Sequence, residues 1–117
     1  MQHSNQRFLY QSSSMVLCIS FDNIVYIEAE KHLLNIYTSD ESKPYVIRNT
    51  LDQTMAGLPQ DQFVRCHRGY IVNMKHIRSV RNNMISLNNS TTIIPVGRMW
   101  KEHFNTCLSQ FYAQSIL

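Results

Sequence analysis

Glycine and proline are scarce in this sequence, three of each, at Gly57, Gly69, Gly97, Pro44, Pro59 and Pro95. So few exclude collagen-like and low-complexity chains. The glycines also lie too far apart to build a phosphate cradle of the Walker or Rossmann type. Long hydrophobic runs are missing: the longest, Met15 to Ile19, has five residues, far short of a bilayer span. The N-terminus lacks a basic start followed by an apolar stretch, which argues against export. Three cysteines, Cys18, Cys66 and Cys107, cannot all pair, which points to a reducing cytoplasmic setting. Carboxylates are absent from Gln62 through Lys101.

What is present describes one globular domain. The 117 residues are 44% hydrophobic and 16% charged, a balance that supports a core without staples. The expected domain runs over 7–112, with flexible ends at 1–6 and 113–117. Charge is divided unevenly along it. Residues 1–61 hold seven acids and four bases, whereas residues 62–117 hold seven bases (Arg65, Arg68, Lys75, Arg78, Arg81, Arg98, Lys101) and only Glu102 as an acid. A net +6 in the second half, against −3 in the first, points to a polyanionic partner, since each cation that meets a phosphate releases condensed counterions.

Periodicity gives a mainly β reading with two helices. Strands are expected at Phe8–Tyr10, Met15–Phe21, Val25–Ile27, Leu33–Thr38 and Tyr45–Arg48. A helix follows, with Thr50 and Gln53 as a capping box and Pro59 as its stop. Phe63–Cys66 and Tyr70–Val72 flank a break at His67-Arg68-Gly69. Ile77–Arg81 and Met84–Leu87 flank Asn82-Asn83, a pair suited to the positive φ of a hairpin turn. Thr91–Val96 is a further strand. A closing helix is expected from Gly97, with Trp100, Phe104, Leu108 and Phe111 as its buried stripe.

Three loops concentrate the chemistry. In FVRCHRGYIVN (63–73), apolar flanks hold a basic turn with Arg65, His67 and Arg68; a guanidinium such as that of Arg68 can donate two parallel bonds to guanine. At Pro95-Val96-Gly97-Arg98 a strand enters a helix, and Arg98 and Lys101 bring full charge. Glu30-Lys31-His32 forms a third basic connection. Catalytic readings are poorer. Cys66 and His67 are neighbours on a strand and point to opposite faces. The pair Glu28 and Glu30 lacks a companion signal, and Cys66, His67 and His76 lack zinc-ligand spacing. Cys66 beside basic groups has grounds for either a lowered pKa and redox sensing or a role as a small packed hydrophobe. Neither enzyme activity nor a cofactor or metal is expected.

The run FVRCHRGYIVNMKHI, with IVYIEAEKHLLNIYT before it, IRNTLDQTMAGLP between and IIPVGRMWKEHF after it, closely resembles the LytTR DNA-binding domain over roughly Arg7 to Tyr112. The resemblance implies an elongated fold of about ten strands in three small sheets with short helices. It implies sequence-specific binding of double-stranded DNA at promoter direct repeats, by loops inserted in the major groove, to regulate bacterial transcription, with a second copy on the adjacent repeat. By position, Arg68, Arg98 and His32 (or Lys31) would read bases, while Lys31, Arg65, His67 and Lys101 would meet the DNA backbone. Gly69 stands where a serine is usual. Relatives in two-component systems carry a receiver domain before this module, and nothing here resembles one. No membrane association is expected. The competing reading is a protein-interaction or RNA-binding β-module with a basic face.

Overall fold

Alternation in the first segments produces a hairpin: β1 (Arg7–Gln11) and β2 (Val16–Ser20) pair antiparallel, with Phe8, Leu17 and Ile19 turned inward and Leu9, Val16 and Cys18 outward. The computed structural model describes residues 6–116, with side chains to Ala113; most of the expected flexible N-terminus, 1–5, and Leu117 lie outside the described residues. The central sheet has five antiparallel strands, β3 (Ile24–Glu30), β4 (Leu33–Thr38), β5 (Tyr45–Ile47), β6 (Phe63–His67) and β7 (Tyr70–Asn73), in the order β5-β4-β3-β7-β6. A third sheet orders β8 (Ile77–Arg81), β9 (Met84–Leu87) and β10 (Ile93–Pro95) as β10-β9-β8. The mainly β expectation of ten strands in three sheets is met.

The central sheet is covered on both faces, which explains why β3 reads IVYI without alternation. Ile24, Ile27, Ile36, Phe63 and Ile71 face one core, shared with the β1–β2 hairpin and α1 (Leu51–Ala56). Val25, Tyr26, Val64, Cys66 and Val72 face a second core, shared with the third sheet and α2 (Lys101–Ile116). Asn73 is buried between these layers with its amide fully used. Its Nδ2 donates to Phe21 O (3.2 Å) and Ile24 O (2.8 Å), while its Oδ1 accepts from Lys75 N (2.9 Å). A buried amide with these partners avoids the desolvation penalty of an unpaired polar group.

Two helix expectations change in detail. Thr50 caps α1, accepting from Gln53 N at 3.1 Å; the reciprocal half of the box is replaced by Asn49, whose Oδ1 accepts from Thr50 N at 2.9 Å. The closing helix does not start at Gly97. Gly97 is extended (φ −71°, ψ 150°), and Arg98–Trp100 form a 3₁₀ turn before α2 begins. The cause is tertiary: Gly97 N donates to Cys66 O at 2.8 Å, holding this backbone against β6. At its other end α2 continues to Ile116. No helix among the described residues is long and apolar enough to cross a membrane.

Candidate nucleic-acid interface

Two of the basic loops are tight connections between paired strands, and the third joins a strand to a helical turn. Lys31 and His32 are the two residues joining β3 to β4, and Lys31 takes the left-handed conformation such a turn demands (φ 59°). Arg68 and Gly69 join β6 to β7, with a register irregularity between Arg65 and His67. The third loop leaves β10 through Val96 and Gly97 into the Arg98–Trp100 turn.

Backbone hydrogen bonds bring the three together. Ala29 N donates to Gly69 O at 2.9 Å, docking the second turn on the end of β3. Gly97 N to Cys66 O docks the third segment on β6. An added Cβ at Gly97 would come within 3.0 Å of the Trp100 ring and 3.3 Å of the His67 ring, so the close approach depends on glycine. Two open clefts result. One, of about 650 Å³, is lined by Lys31, His32, Arg48, Asp52, Arg65 and Arg68 among others. The other, of about 470 Å³, is lined by His67, Arg68, Gly97, Arg98, Met99 and Trp100. Arg68 lines both.

Lys31, His32, Arg68, Arg98 and Lys101 are exposed. Ion pairs among the described residues are Arg65–Asp52 (2.7 Å) and Lys75–Asp22 (2.9 Å), so the other loop cations face solvent without a carboxylate partner. Lys101 opens α2 one turn beyond Arg98 and lines neither cleft. His67 is half-buried, its Nδ1 accepting from Gly69 N at 3.0 Å. That bond leaves the ring proton on Nε2, a donor.

Arg65, expected at the DNA backbone, is committed within the protein. Its side chain is only 12% exposed. Nη1 binds Asp52 Oδ1 (2.7 Å), Nη2 donates to Arg68 O (2.8 Å), Nε donates to His67 O (3.3 Å), and the guanidinium lies 4.6 Å from the Trp100 ring centroid. Trp100 therefore departs from its expected core stripe: it is half-buried beneath Arg65, while Phe104 is fully buried. Arg48 and Met99 line the clefts as well. Met99 is 92% exposed, and an isolated methionine in sequence gives no sign of that.

Cys66 is fully buried and burial pushes its thiol up to about 12, the reverse of the lowered value that redox sensing needs. Its Sγ faces Tyr70 O, whereas the His67 ring serves Gly69. Among the described residues no group of three or more His, Cys, Asp or Glu converges as a metal site.

Comparison with known proteins agrees with this architecture. The family model described as the LytTr DNA-binding domain matches residues 14–109. The chain is 30% identical over 94 residues to the transcriptional regulatory protein YpdB of Escherichia coli (strain K12), covering 76% of the chain and 38% of that protein. It is 27% identical over 113 residues to the sensory transduction protein LytT of Bacillus subtilis (strain 168), covering 91% and 45%. It thus spans less than half the length of either relative. In fold, a solved LytTr DNA-binding domain from Bacillus cereus matches with a TM-score of 0.73 at 22% identity, over 88% of this chain and 96% of that one. The chain belongs to the LytTR family of DNA-binding domains.

Proposed function

We propose that this domain binds double-stranded DNA sequence-specifically at promoter direct repeats, placing the Lys31–His32, Arg68–Gly69 and Gly97–Trp100 segments in the major groove to regulate bacterial transcription. The observation that carries this reading is the convergence of three basic loops, two of them from a stretch without carboxylates, on one end of the central sheet. Arg68, Arg98 and His32 read bases, because exposed forks and imidazoles on rigid turns suit base edges. Lys31, His67 and Lys101 meet phosphate. Met99, exposed beside Arg98, suits a thymine methyl. A second copy on the neighbouring repeat would double the contacts. No catalytic step belongs to this reading.

An RNA platform would display aromatic rings for stacking. Here Tyr26 and Tyr37 stack on each other at 4.4 Å, and the exposed Tyr112 spends its hydroxyl on Met74 O and Ile77 O. Duplex DNA is the better match. Selection of bound duplexes from a random library at moderate salt is the test. A recurrent motif, outcompeting single-stranded RNA of equal length, is expected; enrichment without a motif, or preference for the RNA, would contradict the proposal.

A further inference from the structure

Resting on the DNA-binding reading above, we propose that Arg65 is a positioning residue for base readout rather than a phosphate ligand, and that Asp52 and Trp100 hold it in place. The two carbonyls that Arg65 grips belong to His67 and to Arg68 itself, so the backbone is pinned on both sides of the Arg68 Cα. The Gly69 N–H, on the far side of the turn, is held by His67 Nδ1. A two-residue turn exposed to solvent is thereby fixed at its ends, and only the Arg68 side chain is left free.

Two elements outside the hairpin complete the strut. Asp52, in the first turn of α1, takes Nη1. Trp100 lies under the guanidinium and in the same short turn as Arg98. Arg65 thus ties the second loop to the third and to α1, and sets Arg68 and Arg98 relative to each other. All three guanidinium nitrogens are engaged at 2.7–3.3 Å. Planarity matters here: three fixed donors and a flat face over indole are properties of arginine that lysine lacks. Asp52 is itself 91% exposed, so it adds negative charge to a cleft lined with cations. An acid in that place opposes phosphate and is explained by what it holds.

The two roles differ in measurable ways. A phosphate ligand adds to non-specific affinity, contributes about one to the salt slope, and is replaceable by lysine. A positioning residue affects discrimination through Arg68, and lysine does not rescue it. The test uses a duplex selected by the wild-type domain and its scrambled counterpart, with R65A, R65K, D52N, R68A and R65A/R68A titrated across a salt series. Both Arg65 variants are expected to lose about tenfold or more in preference for the selected duplex, with the salt slope unchanged. In the R68A background R65A should cost less than about twofold more, because the positioned group is gone. D52N should lower discrimination without lowering non-specific affinity, whereas a purely electrostatic Asp52 would, on neutralisation, strengthen binding to both duplexes alike. Thermal unfolding establishes that each variant folds; should R65A not fold, the exposed D52N carries the test. Wild-type discrimination by R65K, a slope lowered by about one in R65A, or additive losses in the double variant would overturn the proposal. Absence of any selected motif for the wild type would instead overturn the DNA-reading proposal on which it rests.

Discussion

At the scale of single residues, chemistry was legible in the sequence more readily than employment. Arg65, Arg68 and Arg98 stand out as basic, yet Arg65 points into a network with Asp52, thirteen residues earlier, and Trp100. Such partners are brought together only by tertiary structure. Trp100 shares helical spacing with Phe104, which read as core, but the chain is still in a 3₁₀ turn at that point. Cys66 shows the converse. Its basic neighbours in sequence gave it grounds for reactivity, whereas strand alternation places its thiol in the second core. With its thiol held at about 12, Cys66 is expected to resist alkylation in the folded protein at about pH 8 while exposed Cys18 is modified. Peptide-resolved mass spectrometry with and without denaturant checks this; fast labelling of folded Cys66 would contradict it.

Elements were legible where the signal is local. The Asn82-Asn83 pair is the clearest case: both residues adopt positive φ (53° and 60°) between β8 and β9, as the twist of a tight hairpin requires. Alanine tolerates that region poorly, so Asn83→Ala is expected to cost about 1 kcal/mol, read as a lower urea midpoint. The contact made by this turn's backbone, Val96 N to Asn83 O at 2.9 Å, survives the substitution, so an unchanged midpoint would argue against backbone conformation as the determinant. The Thr50 cap was equally local. Where the closing helix begins was not, because Gly97 is fixed by Cys66 O, across a break of thirty residues in sequence. Strand β10 likewise shrinks from the expected Thr91–Val96 to Ile93–Pro95, since pairing with β9 covers only those three residues.

For the whole molecule, the two halves that differ in charge along the sequence meet at one site. The carboxylate-free segment supplies two of the three loops, and the acidic first half supplies the third and Asp52. In the proposed DNA-binding mode, these loops read sequence through Arg68 and Arg98. Bidentate base contacts discriminate by about 1–3 kcal/mol, whereas phosphate contacts hardly discriminate. The most direct measurement is equilibrium binding of R68A and R98A to a duplex selected by the wild type and to its scrambled form at matched salt. Each variant is expected to lose specific affinity by that amount, keep nearly all of its non-specific affinity, and relax preference at a different base position. Wild-type discrimination retained by both variants would contradict the account.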